Sequence, residues 1–315
     1  MKHFFDVHDL GPLEAALEHA KRIKQNPREG YMKGQHKSIG LLFFNPSLRT
    51  RLSSQRAAQN LGMDAVVLDV GAESWKLEFS DGTIMNGDTA EHIKEAAAVM
   101  GAYFDFIAIR AFAGLKDQAH DYSEPVLRAF MNYAGVPIIN MESSTGHPLQ
   151  AFADLITIEE LKTKARPKVV LSWAPHPRAL PHAVANSFAQ LMNLAEVDLV
   201  ITHPEGYELA PEFVGSARVE TDQNQAFEGA DFIYAKNWSS YSSYGQVLNT
   251  DEQWMITEAK MARTHQAYFM HCLPVRRNVI VADGVLDSDR SVVIQQAANR
   301  VVSMQTVLSL LLEES

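Results

Sequence analysis

Residues 39–51 read IGLLFFNPSLRTR, a short apolar run followed at once by a turn and the start of a polar segment. The run Ile39–Phe44 has the length and composition of a buried strand. Ser47 is a good N-cap for the helix that follows, and Gly62 would close that helix. A strand that passes through a capped turn into a helix is typical of parallel α/β sheets.

The turn after this strand is suited to bind an oxyanion. The backbone N–H groups of Leu48, Arg49 and Thr50 are free at the helix N-terminus, and the helix dipole and an arginine fork also favour a phosphate. Taken alone, the same residues fit a capped surface helix with solvated arginines.

The rest of the chain repeats this alternation of short Val/Ile/Phe-rich runs with longer segments of helical period, which predicts an α/β fold with two doubly wound parallel-sheet domains. We expect the domains to comprise residues 1–147 with 298–315, and residues 148–297, with the active site in the cleft between them. The predicted strands are 39–44, 65–70, 106–110, 136–141, 169–173, 197–202, 231–235 and 267–270. The predicted helices are 47–61, 90–100, 123–134, 148–164, 181–193, 223–229, 253–263 and 297–312.

Composition excludes several classes of protein. The chain has 315 residues, 46% hydrophobic, enough for a large core in about two domains. Its net charge of −10 disfavours nucleic acid as a partner. Its apolar runs fall short of the ~20 residues of a membrane span, and no secretory signal is visible, so we expect a cytoplasmic protein. With Cys272 as its one cysteine, it can form no internal disulfide or multi-cysteine metal site.

Polar residues follow later strands at the points where ligands usually bind. His147 and Gln150 begin a helix with Asp154 on the same face, and together they can donate hydrogen bonds to a carbonyl oxygen that gains charge. A His-Pro turn with a polar helix face is the plainer interpretation. Arg110 ends a buried strand, where a structural ion pair and a ligand contact are about equally plausible. Cys272, in the turn before Pro274, fits a backbone role better than a nucleophilic one.

These motifs, in this order, resemble the carbamoyl-phosphate-dependent transferases over nearly the whole chain. The shared pattern is a Ser-x-Arg-Thr turn, an arginine, His-Pro-x-Gln and His-Cys-Leu-Pro. The resemblance implies no metal or other cofactor and assigns catalysis to Thr50, Arg110, His147, Gln150 and Cys272. It implies that carbamoyl phosphate contacts Ser47, Leu48, Arg49, Thr50, Trp75, Arg110, His147, Gln150, Cys272, Leu273 and, on the resemblance alone, Arg300.

The resemblance also bears on which amino acid accepts the carbamoyl group, through one sequence segment that this chain lacks and three that it contains. The Asp-x-x-x-Ser-Met-Gly segment of ornithine enzymes is missing, whereas residues 73–78, 235–238 and 275–278 resemble the branch that acts on N-acetylornithine or N-succinylornithine. That branch implies arginine biosynthesis and a homotrimer with shared active sites, in which Trp75 reaches a neighbouring subunit. That branch implies that Glu142, His176 and Lys236 contact the acylated amino acid. The predicted acylornithine contacts also include Ala90, Arg178, Leu273, Arg276 and Arg277.

Two positions favour a succinyl over an acetyl group. Where acetyl enzymes typically carry glutamate this chain has Ala90, which would neither repel nor displace a succinyl carboxylate. The succinyl branch typically has proline there, so the match is one of size. Ile280 stands where acetyl enzymes tend to have lysine. Arg178 and either Arg276 or Arg277 could pair with the extra carboxylate, although exposed loop arginines are as plausible.

The expected reaction is attack by the uncharged δ-amine of N-succinyl-L-ornithine on carbamoyl phosphate, with N-acetyl-L-ornithine as the alternative acceptor. A non-catalytic anion-binding subunit on the same fold is the alternative of another class. No Gly-x-Gly-x-x-Gly follows a strand, which argues against a dinucleotide-dependent oxidoreductase. Residues 173–182 contain three prolines and should form a rigid loop. The resemblance implies that this loop is threaded, giving a knotted backbone.

Overall fold

The computed structural model describes residues 1–70, 75–248 and 252–314. It divides into a first unit, Met1–Gly114 with Ala119–Leu149 and Arg300–Ser315, and a second unit, Leu115–Gln118 with Gln150–Asn299. Each unit has its own parallel sheet, so the predicted α/β class with two parallel-sheet domains is confirmed. Threading of the loop 173–182 stays a prediction.

The first unit is built on a four-stranded parallel sheet in the order β2-β1-β5-β6, with a separate two-stranded sheet of β3 and β4. The strands are β1 (Ser38–Phe43), β2 (Asp64–Asp69), β3 (Leu77–Glu78), β4 (Glu91–His92), β5 (Phe106–Arg110) and β6 (Ile138–Glu142). The helices are α1 (Leu13–Gln25), α2 (Leu48–Asn60), α3 (Ile93–Tyr103) and α5 (Pro125–Tyr133), and Val7–Leu10 forms a 3-10 turn.

The second unit is built on a five-stranded parallel sheet in the order β11-β10-β7-β8-β9. Its strands are β7 (Lys168–Trp173), β8 (Asp198–Thr202), β9 (Arg218–Glu220), β10 (Phe232–Lys236) and β11 (Tyr268–Met270). Its helices are α7 (Ala183–Leu194), α8 (Pro211–Val214), α9 (Gln223–Phe227), α10 (Glu258–Met261) and α11 (Asp283–Leu286). The helices α4 (Gln118–Tyr122), α6 (Pro148–Leu161) and α12 (Val293–Glu314) contribute residues to both units.

The passage from β1 to α2 shows why the sequence folds this way. From Ile39 to Phe43, β1 is buried. Ser47 is extended, and its Oγ accepts a hydrogen bond from the Thr50 N–H at 3.3 Å, which caps α2. After α2, Gly62 has a φ of +80°, which a residue with a Cβ would adopt only at a cost. The predicted cap and the predicted end of this helix are confirmed.

Every predicted strand is present, but some predicted helices are wrong in their bounds. The helix predicted over 253–263 is interrupted: a 3-10 turn, Glu252–Trp254, is followed by Ile256, which forms a β-bridge to Val281, before α10 begins. The helix predicted over 90–100 begins at Ile93, because Glu91–His92 pairs with β3. The short exposed strand β9 and helix α1 were not predicted.

Apolar side chains from both faces of each sheet form the cores. In the second unit, Val170, Ile233 and Phe269 are fully buried in one cluster with residues of the helices. None of the helices within the described ranges is long and apolar enough to cross a membrane.

Candidate active site

In the first unit, Thr50 is the centre of a group of predicted phosphate-binding residues. Thr50 is 1% exposed, and its hydroxyl accepts a hydrogen bond from the Arg300 Nη2 at 2.6 Å and from the Arg110 Nη1 at 3.4 Å. Ser47 Oγ lies 3.0 Å from the same hydroxyl. Arg49, in the same turn, is half-buried. Two guanidinium groups therefore meet at the N-terminus of α2, and both favour a bound anion there.

Arg110 links this turn to the ends of the neighbouring strands. Its Nη1 forms a buried ion pair with Glu142 Oε2, and its guanidinium lies 4.3 Å from the centre of the Phe112 ring. His147 Nε2 is 3.3 Å from the same Glu142 oxygen. Within the described ranges the buried Nε of Arg110 has no hydrogen-bond partner. The predicted ion pair is therefore present, and the Nε keeps an unused hydrogen-bond donor beside it.

Glu142 was predicted to contact the acylornithine, and the structure places it among the predicted carbamoyl-phosphate residues. It ends β6, as Arg110 ends β5. Because parallel strands end at the same edge of a sheet, their last residues meet there. The carboxylate compensates the positive charge of Arg110, because a buried guanidinium without a counter-charge would destabilise the fold.

In the second unit, a network of amides and one carboxylate holds the other predicted catalytic residues. Gln150 Nε2 and Gln296 Nε2 each donate to Asp154 Oδ1 at 2.7 Å. The Gln296 Oε1 accepts the His271 N–H at 2.9 Å, and His271 Nδ1 accepts the Leu273 N–H at 2.9 Å. The carboxylate thus fixes which way both amides point, and it connects Gln150 to the turn that holds Cys272 and Leu273.

The turn itself has an uncommon backbone. Leu273 has a φ of +57°, the left-handed region that residues with a Cβ rarely adopt, and the Leu273–Pro274 bond is cis. Cys272 is half-buried. Nearby, burial first, and then the charges of Asp154 and Cys272, raise the pKa of Tyr234 well above its usual range. Tyr234 therefore stays protonated at neutral pH.

Gln296 was missed by sequence reasoning, because no motif includes it and its partner Asp154 lies far away in the chain. Its position four residues before Arg300, one turn earlier on α12, was the available signal.

His176 and Arg276 form the predicted acylornithine group in the second unit. The Arg276 Nε donates to His176 Nε2 at 3.0 Å, and His176 Nδ1 lies 2.9 Å from the Arg178 carbonyl oxygen and 3.1 Å from the Arg178 amide nitrogen. Burial first, and also the charges of Arg276, Lys236 and Arg178, lower the pKa of His176. Both side chains line a pocket of about 240 Å³. Its lining residues are Pro175, His176, Pro177, Glu252, Met255, Arg276, Asn278 and Val279.

The remaining predicted acylornithine residues differ in how they are held. Lys236 is buried, and its Nζ donates to the Asn237 carbonyl at 3.1 Å. Arg178 is exposed. Arg277 forms ion pairs with Asp287 at 2.6 Å and with Asp283 at 2.8 Å, so both aspartates compete with any ligand for its guanidinium.

Trp75 and Ala90 lie in an exposed part of the first unit. Trp75 is 50% exposed, and its indole N–H donates to Glu91 at 2.8 Å. Ala90 is exposed, and its N–H donates to the Lys76 carbonyl at 2.8 Å. Residues 73 and 74 of the predicted segment 73–78 lie outside the described residues.

Leu48 and Ile280 have opposite environments. The Leu48 side chain is 68% exposed, so its predicted contribution is the backbone N–H. Ile280 is 2% exposed and belongs to the second core, which indicates a packing role and leaves Ala90 as the basis of the acyl-group prediction.

Comparison with known proteins gives one consistent family. Residues 2–160 match the model of the aspartate/ornithine carbamoyltransferase carbamoyl-P binding domain, and residues 181–311 match that of the Asp/Orn binding domain. An N-succinylornithine carbamoyltransferase of Bacteroides thetaiotaomicron is 56% identical over 315 residues, which cover 99% of both chains. An N-acetylornithine carbamoyltransferase of Xanthomonas campestris pv. campestris is 38% identical over 341 residues, covering 100% of this chain and 99% of the relative.

A similar solved structure carries a substitution of interest. It is a glutamate-to-valine variant of N-acetyl-L-ornithine transcarbamylase complexed with carbamyl phosphate and N-succinyl-L-norvaline. It matches with a TM-score of 0.92 at 37% identity, covering 99% of this chain and 100% of that one.

Proposed function

The chain belongs to the aspartate/ornithine carbamoyltransferase family, and from that premise we propose that it carbamoylates N-succinyl-L-ornithine with carbamoyl phosphate. The products are N-succinyl-L-citrulline and phosphate, formed in the biosynthesis of arginine. The main support is sequence identity. The chain is 56% identical to a relative named for the succinylated acceptor and 38% identical to one named for the acetylated acceptor.

Carbamoyl phosphate binds through its phosphate at the Ser47–Thr50 turn with Arg49 and Arg300. The carbonyl oxygen accepts hydrogen bonds from the Thr50 hydroxyl and from the side chains of Arg110, His147 and Gln150. Support comes from the convergence of Arg110 and Arg300 on Thr50, at 3.4 and 2.6 Å. Donors fixed before the reaction stabilise developing negative charge without having to reorganise.

The uncharged δ-amine attacks the carbonyl carbon and forms a tetrahedral intermediate. Its collapse breaks the bond from carbon to the bridging oxygen, and the electron pair leaves with phosphate. The departing phosphate accepts the proton that the amine loses. Orientation and electrostatic stabilisation supply the rate enhancement, and the turn at Cys272 and Leu273 positions the reactants through its backbone.

The acylornithine binds through Glu142, His176, Lys236, Leu273 and Arg276, and Arg276 or Arg178 pairs with the succinyl carboxylate. Support comes from the pocket of about 240 Å³ that His176 and Arg276 line. Ala90 admits the succinyl group because it is small and neutral. An N-acetyl-L-ornithine transcarbamylase in which a glutamate is replaced by valine is complexed with N-succinyl-L-norvaline, which supports a small neutral residue as compatible with a succinylated ligand.

The enzyme acts as a homotrimer in which Trp75 completes the site of a neighbouring subunit. The half-exposed indole, together with exposed Leu52 and Val66 on the same unit, supports a subunit contact. Light scattering of the purified protein at assay concentration should give three times the mass of one chain.

A second candidate acceptor is N-acetyl-L-ornithine, which the 38% identical relative's name favours. The test of the proposed reaction is product analysis. The enzyme is incubated with carbamoyl phosphate and N-succinyl-L-ornithine, and mass spectrometry and phosphate release are followed together. We expect one N-succinyl-L-citrulline for each phosphate above the blank. Phosphate release without a citrulline derivative from any ornithine acceptor would overturn the proposal and favour a non-catalytic anion-binding subunit.

A further inference from the structure

Glu124 is a buried acid that the proposed reaction does not use. It is 4% exposed and stands directly before α5, with a φ of +52° in the left-handed region. For a residue with a long side chain this backbone conformation is uncommon, and it persists only where the surroundings impose it. Glu124 occupies the N-cap position of α5, but its side chain forms no hydrogen bond that caps this helix.

The Glu124 carboxylate is instead bonded to one short loop, residues 143–146. Oε1 accepts from the Ser143 Oγ at 2.7 Å, the Thr145 N–H at 2.7 Å and the Thr145 Oγ1 at 2.5 Å. Oε2 accepts from the Ser144 N–H at 3.3 Å. Ser143 in turn accepts from the Gly146 N–H at 3.2 Å. All partners of the carboxylate in this loop are donors, which is a pattern that a carboxylate fits better than any other side chain.

The loop joins two residues of the candidate site. Glu142 precedes it and forms the ion pair with Arg110, and His147 follows it with its Nε2 3.3 Å from Glu142. Any shift of residues 143–146 therefore moves His147 relative to Arg110. A displacement of about 1 Å between reacting groups can cost about 100-fold in rate.

We propose that Glu124 is a positioning residue that holds the loop 143–146, and through it His147, in the geometry needed at the carbonyl oxygen of carbamoyl phosphate. The inference rests on the proposed function for its kinetic consequences. Its consequence for binding can be tested separately, because inorganic phosphate lacks the carbonyl group that His147 contacts. Only the binding of carbamoyl phosphate should depend on Glu124.

The test compares Glu124→Ala and Glu124→Gln with Asp105→Asn as the matched control. Asp105 is a half-buried acid of the same unit that accepts from Lys37 and Ser38 and touches none of the candidate residues named above. Calorimetric titration measures the Kd of carbamoyl phosphate and of inorganic phosphate, and steady-state assays measure kcat and KM.

Glu124→Ala should weaken carbamoyl phosphate binding about tenfold, leave phosphate binding within about twofold, and lower kcat about 100-fold. Glu124→Gln keeps one oxygen at the site of Oε1 and should recover most of the activity, to within about fivefold of the parent. Asp105→Asn should change neither the Kd of the two ligands nor kcat.

The proposal would be overturned if folded Glu124→Ala bound carbamoyl phosphate and inorganic phosphate equally more weakly than the parent does, or if its kcat were unchanged. If Glu124→Ala does not fold, Thr145→Val replaces it, since it removes one donor and should shift kcat in the same sense by about threefold. If the parent binds carbamoyl phosphate but transfers its carbamoyl group to no ornithine derivative, the proposed function fails. The difference between the Kd changes for carbamoyl phosphate and for inorganic phosphate still decides the role of Glu124.

Discussion

Two regions of the candidate site, the surroundings of Thr50, His147 and Gln150 and the exposed positions Ala90 and Arg276, differ in how firmly the fold holds their side chains. Thr50, His147 and Gln150 are at most 2% exposed, and they are hydrogen-bonded or ion-paired to Arg300, Glu142 and Asp154, respectively. Ala90 and Arg276, by contrast, are exposed. The difference separates two tasks: groups fixed by the fold serve the reaction, which every acceptor shares, and groups at the surface can change with the acceptor.

The strongest test of this comparison is Arg110→Ala. It removes a donor to the carbonyl oxygen and leaves Glu142 buried without its main counter-charge. We expect kcat/KM to fall about 10³-fold with the succinylated and the acetylated acceptor alike. Urea unfolding should show a loss of about 3 kcal/mol.

Arg22→Ala is the control, because Arg22 is exposed and pairs only loosely with Glu29, at 3.7 Å. Its kinetics should match the parent. A fall confined to one acceptor in Arg110→Ala would contradict the assignment of Arg110 to the shared step.

A smaller effect, limited to the acceptor, is expected at the surface group. Arg276→Ala removes the donor to His176 from the pocket and should raise the KM for N-succinyl-L-ornithine about tenfold, with the KM for carbamoyl phosphate unchanged. Arg277→Ala should stay within about twofold of the parent, because Asp283 and Asp287 already occupy that guanidinium. The reverse order of the two variants would transfer the acceptor role to Arg277.

The smallest effect concerns acid stability. His182, 2% exposed, lies next to the Ser239 carbonyl at 2.7 Å, and burial lowers its pKa below the usual 6.5. A histidine with a lowered folded pKa stabilises the fold above the unfolded value, and this contribution is lost as the pH falls below about 6.5. Urea unfolding at pH 7.5 and 5.5 should therefore show a smaller acid loss for His182→Gln than for the parent.

His265→Gln provides the matched control, since His265 is a largely exposed histidine of the same unit whose side chain is 64% accessible. An acid loss that His182→Gln leaves unchanged would mean that other groups destabilise the protein at low pH.

The two regions were also not equally predictable from sequence. The β1–α2 passage combines a change of hydrophobic period with a capping serine, and both signals are local, so strand, cap and helix end were predicted. Strand β9 is exposed and only Arg218–Glu220 long, which leaves no burial pattern to detect. Ile256 was assigned to a helix because its bridge partner, Val281, is distant in sequence.

Within the site, most of the residues that contact ligand in the proposal belong to motifs, with Arg300 as an exception, whereas Gln296 and Glu124 belong to none. Asp154 shares a helix with Gln150, which made its place on the same face visible in advance. Gln296 and Glu124 act through contacts that only the folded chain creates, 142 and about 20 residues away in sequence. The fold class could therefore be predicted, and the substrate contacts stay predictions, but the hydrogen bonds that orient the site residues could not be predicted.

The proposed preference for a succinylated acceptor is tested most directly by a ratio of two kcat/KM values, that for N-succinyl-L-ornithine divided by that for N-acetyl-L-ornithine. The ratio is measured in the parent and in Ala90→Glu. A glutamate at this exposed position would repel the succinyl carboxylate but not a neutral acetyl group. We predict a ratio well above one in the parent and a fall of about 100-fold in Ala90→Glu. A parent ratio below one, or a ratio that Ala90→Glu leaves unchanged, would contradict the account.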